Sequence, residues 1–135
     1  MDNILTITSN SPEIVEQNFE SPRGDDFDLD LVFTDDQGDP QPITTWEILF
    51  TAKQSKELGD DASSGVVKKA IDITGGPAGL ASLNLPAATT EDLLGPYFYD
   101  IQYKDDNGAI KTKARGIIVF TKDVTIRQTD VVPTP

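Results

Sequence analysis

The residues best able to do chemistry in this sequence are carboxylates grouped along the chain. Three acidic segments, residues 35–39, 59–61 and 105–108, could supply the oxygen ligands that calcium prefers. None of them has the spacing of a helix–loop–helix calcium site, and Asp, Asn and Gly are also the residues that tight turns require. We therefore interpret these segments as turns and predict no metal site.

A denser acidic stripe consists of Asp25, Asp26, Asp28 and Asp30. Two close carboxylates form the catalytic pair of glycosidases, so this stripe is the strongest catalytic candidate in the chain. Asp28 and Asp30 nevertheless alternate with apolar residues, which puts them on the solvent face of a strand, where charge keeps sheets from aggregating. We predict no catalytic residue here.

Histidine and cysteine are both absent from the 135 residues. The commonest general base, the usual zinc ligands, thiolate nucleophiles and disulfides are therefore excluded. The composition predicts a protein that is not an enzyme, that needs no cofactor and that folds in a reducing compartment.

The formal net charge of −12 indicates which partners the chain avoids. At long range this charge repels phosphate backbones and anionic lipid surfaces. No apolar run approaches the length needed to cross a bilayer. We expect neither nucleic acid nor a membrane as a partner.

Aromatic residues offer a recognition platform for a sugar or a base. Tyr97, Tyr99 and Tyr103 share one face of a predicted strand, however, and that pattern favours burial in the core over an exposed platform. Phe98 lies on the opposite face and is the predicted exposed interaction residue.

Period-two alternation of apolar residues predicts the strands that position these groups. One short helical turn with a threonine cap is expected at residues 88–94, and the Asn-Gly pair at residues 107–108 indicates a hairpin. The predicted strands are residues 27–33, 45–53, 66–73, 79–85, 97–104 and 109–120, with shorter extended runs at residues 4–8 and 14–19.

This pattern is typical of an all-β protein, and we predict an immunoglobulin-like β-sandwich of about seven strands with one short helical turn. Tyr97 follows Gly95 at the start of the penultimate strand, the place of the tyrosine corner of that fold. We expect its ring to be buried and its hydroxyl to bond to backbone in residues 88–94. Trp46 is expected to be a large buried core aromatic, and Tyr97, Trp46 and Gly95 are the predicted structural residues.

The two ends differ from the middle of the chain. We predict an N-terminal arm or edge strand at residues 1–22, a sandwich domain at 23–127 and a C-terminal tail at 128–135. Ile4, Leu5 and Ile7 are more apolar than a free tail should be. The first segment therefore forms either the first strand of its own sandwich or an arm that adds to another subunit, and these three residues are possible interaction residues.

Residues 24–127 resemble the N-terminal domain of phage baseplate upper proteins, a family of immunoglobulin-like virion modules. The resemblance lies in a series of turn and core motifs: Gly24-Asp25-Asp26-Phe27, Asp35-Asp36-Gln37-Gly38-Asp39-Pro40, Trp46-Glu47-Ile48-Leu49-Phe50, Gly79-Leu80-Ala81, Leu94-Gly95-Pro96-Tyr97-Phe98-Tyr99-Asp100-Ile101, Asp105-Asp106-Asn107-Gly108 and Gly116-Ile117-Ile118-Val119-Phe120.

This resemblance implies a non-enzymatic structural protein of a phage virion, placed in the tail, baseplate, neck or capsid and acting through protein–protein contacts. Its implied partners are other virion proteins and further copies of itself. The implied location is the virion, assembled in the host cytoplasm. The alternative is a carbohydrate-binding or adhesive immunoglobulin-like surface module, because one fold serves many functions.

Overall fold

A computed structural model describes residues 3–9, 11–55 and 66–122, and within these ranges the chain forms ten β-strands, one 3₁₀ turn and one short α-helical turn. In chain order the elements are Asn3–Thr8 (β1), Val15–Glu16 (β2), Phe19–Pro22 (β3), Phe27–Thr34 (β4), Glu47–Lys53 (β5), Val66–Ala70 (β6), Asp72–Gly75 (β7), Gly76–Ala78 (the 3₁₀ turn), Leu80–Leu85 (β8), Ala87–Thr90 (α1), Gly95–Lys104 (β9) and Ile110–Thr121 (β10). No helix among the described residues is long and apolar enough to cross a membrane.

The strands form two sheets packed face to face. The first sheet has the order β1-β4-β8-β7, and the second has the order β2-β10-β9-β5-β6, with β3 also paired to β10. In the immunoglobulin fold, strands A, B, E and D form one sheet and C, F and G form the other. The order β1-β4-β8-β7 of the first sheet corresponds to A-B-E-D, and β5-β9-β10 of the second sheet correspond to C-F-G. The predicted all-β sandwich is confirmed.

The N-terminal strands are the main departure from that pattern. β1 runs parallel to β4, and both β2 and β3 run parallel to β10, whereas the other pairs are antiparallel. The chain therefore reverses between β1 and β2 and moves from the first sheet to the second. Residues within 1–22 thus contribute an edge strand to each sheet.

The strand predicted at residues 66–73 is two strands. β6 pairs with β5 in the second sheet, and β7 pairs with β8 in the first. Ile71 lies between them, is buried, and donates its N–H to the carbonyl of Ile48 at 2.9 Å. An apolar pattern shows that a segment is extended but not which sheet it joins, so the crossing was not predicted.

The core lies between the sheets and follows the predicted alternation. Every second residue of β4, from Phe27 to Phe33, is at most 2% exposed, and the inward residues of β9, from Tyr97 to Tyr103, are at most 4% exposed. The further large residues that are fully buried are Phe50, Phe120, Ile7, Ile43, Leu83, Leu85 and Ile118.

Trp46 is not the fully buried core residue that was expected. It is half-buried and precedes β5, because its N–H donates to the carbonyl of Ile43 in a turn at 2.9 Å. Its ring stacks on Tyr103 with the centroids 4.3 Å apart and meets Phe33 edge to face. Trp46 therefore closes one end of the core and does not lie inside it.

The helical turn is shorter than predicted and has a different cap. Its first N–H, on Ala87, donates to Oδ1 of Asp26 at 2.7 Å, so a carboxylate from a distant loop caps it. The prediction was a threonine cap, but Thr89 and Thr90 lie inside the turn, and Thr90 is fully buried at its C-terminal end. The Thr90 hydroxyl donates to the carbonyl of Asp25 and accepts from the N–H of Gly24. Part of the acidic stripe thus holds the corner before β4.

The tyrosine corner is also different from the prediction. The Tyr97 ring is buried, 2% exposed, and Gly95 has the positive φ of +88° that lets the chain turn into β9. The Tyr97 hydroxyl bonds to the side chain of Gln54. It makes no hydrogen bond to the backbone of residues 88–94, so the predicted partner was wrong. In this chain the Thr90 hydroxyl ties that corner to Gly24 and Asp25, just before β4.

We expect the buried tyrosines to make stability fall in alkali. Burial raises the pKa of Tyr97, Tyr99 and Tyr103, and the carboxylate of Asp105 raises that of Tyr103 further. Because the folded pKa values exceed the ordinary value of about 10, the unfolded chain releases these protons first, and the free energy of unfolding decreases as pH rises above about 10.

Tyrosinate absorbance measures this directly, because the chain has three tyrosines and all three are buried. At about pH 10 the native protein should show less ionised tyrosine than the protein unfolded in guanidinium, in which the tyrosines titrate near pH 10. Coincident titration curves for the two states would contradict the prediction.

Candidate functional site

An extensive concave surface lies on the outward side of the second sheet, here called the outer face. It forms an open hollow of about 880 Å³. The alternation that sends Tyr99 and Ile101 into the core sends Phe98, Asp100 and Gln102 outward from β9. Leu49 and Thr51 from β5 and Arg115 and Ile117 from β10 lie on either side, and Ile14 and Glu16 complete the rim.

Strand register arranges the polar groups of the outer face in a row. Thr51 lies opposite Asp100, Asp100 opposite Arg115, and Arg115 opposite Glu16, while Lys68 continues the row beyond Thr51. Arg115 donates to Oε1 of Glu16 from Nε at 3.1 Å and from Nη2 at 2.9 Å. Both side chains are more than half exposed, so this ion pair adds at most about 1 kcal/mol to stability. Charges of alternating sign thus cross the face.

Apolar groups form the adjacent row. Phe98 lies between Lys53 and Ile117 in the register of the three strands. Phe98 and Ile117 are half-buried, and Leu49, opposite Gln102, lies on the other side of the charged row. Apolar residues on both sides of a charged row give this face the mixed composition of a protein interface.

A buried lysine, Lys113, binds the chain segment that leads into the rim of the hollow. Lys113 is 3% exposed, and its Nζ donates to the carbonyl of Glu13 at 3.1 Å and to the carbonyl of Ser11. Burial lowers the pKa of Lys113; Lys111 lowers it further, and Glu13 acts in the opposite direction. The residue lies at the register shift between Thr112 and Ala114, which turns it towards the N-terminal segment. Lys113 therefore fixes residues 11–13 against β10.

Two hydrogen bonds hold Gln17 and Asn18, the residues between β2 and β3, against β9 and β10. The Tyr99 hydroxyl donates to the carbonyl of Gln17 at 2.6 Å, and the N–H of Ile117 donates to Oδ1 of Asn18 at 3.0 Å. Gly116, opposite Tyr99 in the register, leaves room for this backbone to approach. Sequence reasoning missed Lys113 and Gly116, because a lysine or glycine in a strand carries no local sign of a distant partner.

The predicted interaction residues do not form one cluster. Phe98 lies in the hollow, as its position on the outer face of β9 implies. Ile4 is 68% exposed but lies on the first sheet. Leu5 and Ile7 are 4% and 0% exposed and pack in the core of their own sandwich, so their side chains do not belong to the exposed surface. Strand alternation is the reason, since β1 turns every second side chain inward.

A smaller hollow of about 460 Å³ lies at one end of the sandwich, beside Trp46 and Tyr103. Asp105 and Lys111 are among its polar lining residues. Oδ1 of Asp105 accepts from the N–H groups of Asn107 and Ala109, at 3.0 and 2.9 Å. That carboxylate therefore organises the hairpin turn.

Asp35 plays the same part in its own turn, accepting at Oδ1 from the N–H groups of Gln37 and Asp39 at 2.9 and 3.0 Å. The interpretation of residues 35–39 and 105–108 as turns is confirmed, while residues 59–61 lie outside the described residues. Within the described ranges, no group of three or more acidic residues is arranged to hold a metal ion.

These features define a class: a two-sheet β-sandwich module with a broad, open, mixed-charge face. No protein-family model matches the chain, and no curated protein matches its sequence. Among solved structures, the fold is similar to the N-terminal domain of phage TP901-1 ORF48, at 9% sequence identity and a TM-score of 0.51. The match covers 90% of this chain and 98% of that domain. At this identity the likeness shows a shared fold with a phage protein domain.

Proposed function

We propose that this chain is a non-enzymatic structural module of a phage virion and binds other virion proteins through the outer face of its second sheet. The observation that carries the proposal is the hollow around Phe98 beside the charged row of Asp100, Arg115 and Glu16. The shared fold with a phage domain supports the particle as its location.

The shape of the outer face favours a protein partner. A small-molecule site encloses most of its ligand, whereas this hollow is open and spans four strands. Phe98 supplies the aromatic anchor that dominates many interfaces, and Ile117, opposite it in the register, is its apolar neighbour. The alternating charges set the orientation of the partner more than the strength of binding.

The distribution of cations singles out the same sheet. The strands of the first sheet contain no Lys or Arg. The strands of the second sheet contain all the basic residues found in strands of the described chain, namely Lys53, Lys68, Lys69, Lys104, Lys111, Lys113 and Arg115. In a chain of net charge −12, this sheet is where a partner meets least repulsion.

Within this proposal the module occurs in several copies in the particle, needs no cofactor and is assembled in the host cytoplasm. Its position could be the tail, baseplate, neck or capsid. The family of phage baseplate upper proteins remains the specific proposal for its relatives, on the sequence motifs given above.

Cross-linking in assembled particles tests the proposal. A photoreactive amino acid at Gln102, on the outer face, should cross-link to a different virion protein, identified by mass spectrometry of purified particles. The matched control is the same amino acid at Ser82, on the outer face of the first sheet, which should give few such products. Absence of the chain from purified particles would end the virion proposal.

Substitution of Phe98 measures how much this residue contributes to incorporation into particles. Phe98→Ala should lower incorporation into particles about tenfold or more, because truncation of an interface anchor costs about 2 kcal/mol. Its thermal unfolding should stay close to that of the unchanged chain, since Phe98 is only half-buried. Full incorporation of Phe98→Ala would place the contact elsewhere.

A second candidate function is carbohydrate binding. The specific observation in its favour is Trp46, half-buried beside the smaller hollow and among polar groups that could bond to sugar hydroxyls. A glycan array with the purified chain tests it. Binding that is lost in Trp46→Ala and kept in Phe98→Ala would support this candidate, and no binding to any glycan would exclude it for the array tested.

A further inference from the structure

The four edges of the two sheets are protected to very different degrees. An exposed strand edge can pair with another chain, and proteins prevent this with lysine, proline or an irregular strand. β6 carries Lys68 and Lys69, and β7 has a register shift between Ile73 and Gly75. The edge formed by β2 and β3 is interrupted and ends on proline. β1, with the sequence Asn-Ile-Leu-Thr-Ile-Thr, has none of these devices.

The backbone of β1 presents one side to β4 and the other outward. The N–H of Ser9 donates to the carbonyl of Thr34 at 2.9 Å, which fixes the odd-numbered residues as those that bond to β4. Ile4, Thr6 and Thr8 therefore direct their backbone groups away from the sheet. Among the described residues, no strand pairs with this outer edge of β1.

We infer that the outer edge of β1 binds the same edge of a second copy of this chain, as an antiparallel pair with its twofold axis at Thr6. In this register Thr6 faces Thr6 of the second copy, and Ile4 faces Thr8. On the inner face Leu5 lies opposite Ile7, which extends the buried apolar row of each sandwich. The two first sheets then join into one continuous sheet.

Charge favours a second copy at this edge over any other part of the first sheet. β1 contains no charged residue, whereas β4 and β7 carry Asp28, Asp30 and Asp72. Ile4, the most exposed large apolar residue described, is 68% exposed and would gain Thr8 of the second copy as a neighbour on its sheet face. Because each copy has a net charge of −12, the dimer should tighten as salt screens the repulsion.

This inference goes beyond the proposed function and does not rest on it. The β1 edge belongs to the first sheet and the proposed docking face to the second. A dimer in solution can therefore form whether or not the chain enters a phage particle.

The position of Thr6 at the twofold axis allows a sharp test. Thr6→Lys and Thr6→Glu each place like charges directly opposite each other in a homodimer, and both should raise the dimer dissociation constant about tenfold or more. An equimolar mixture of the two variants places lysine opposite glutamate and should dimerise again. Sedimentation equilibrium of the full chain at about 0.15 M salt or above measures dimerisation of Thr6→Lys, of Thr6→Glu and of their mixture.

Thr74→Lys is the matched control, since Thr74 is an exposed threonine of the opposite edge strand, β7. It should dimerise as the unchanged chain does. Thermal unfolding of each variant establishes that it is folded, as expected for substitutions at exposed positions. An unchanged chain that stays monomeric at every concentration and salt level overturns the inference. So does a Thr6→Glu variant that dimerises as tightly as Thr74→Lys.

Discussion

Gly79→Ala is expected to lower the free energy of unfolding by about 3–5 kcal/mol, because it adds backbone strain to a steric clash. Gly79 has a φ of +75°, and a Cβ there would lie 2.4 Å from the carbonyl oxygen of Phe33 and 2.8 Å from that of Gln41. Its own carbonyl accepts from the N–H of Phe33 at 2.8 Å. Backbone from β4, from the following loop and from the start of β8 therefore meets at this glycine.

Chemical denaturation measures this change, and Gly38→Ala separates its two causes. Gly38 has a similar φ of +85°, but a Cβ there would have no atom within 4 Å. Gly38→Ala should therefore cost only the strain, about 1–2 kcal/mol. Equal losses in the two variants would show that the clash at Gly79 is relieved at no cost and would contradict the prediction.

Gly116→Ala should lower the free energy of unfolding by about 3 kcal/mol and release the N-terminal strands from β10. A Cβ at this position would lie 2.1 Å from the carbonyl oxygen of Gln17. That carbonyl accepts the Tyr99 hydroxyl at 2.6 Å, so pushing it away also breaks a hydrogen bond at the edge of the core.

Hydrogen exchange resolved by residue is the suitable measurement for Gly116→Ala. Protection should fall in residues 15–22 and remain in β4 and β8. Tyr99→Phe is the control, because it removes only the hydroxyl bond and should cost about 1 kcal/mol. Unchanged protection in residues 15–22 of Gly116→Ala would show that β2 and β3 do not depend on the space at Gly116.

The candidate site was predictable in its parts but not as an arrangement. The outward position of Phe98 follows from the alternation within β9, which any reading of the sequence can use. The neighbours of Phe98 do not follow from it. Ile117 meets Phe98 only through the β9–β10 register, and Glu16 and Arg115 are 99 residues apart in the chain.

For the N-terminal segment too, the sequence predicted part of the arrangement and the structure was needed for the rest. Its apolar residues correctly indicated that it packs against something, because exposed Ile and Leu side chains would be costly in water. The choice between its own sandwich and another subunit needed the structure, in which β1 pairs with β4 and leaves one edge unpaired in the described chain. The boundary drawn at residue 22 remains a prediction, and the tail at residues 128–135 lies outside the described residues.

Properties that depend on neighbours two to four residues away were predictable from the amino-acid sequence. These are the extended segments, the inward and outward faces of residues 27–33 and 97–104, and the turns organised by Asp35 and Asp105. The tertiary structure alone decided the division of residues 66–75 between two sheets, the parallel pairing of β1 and the burial of Lys113. The physical reason is that strand pairing joins residues far apart in the chain, whereas side-chain alternation is set within each strand.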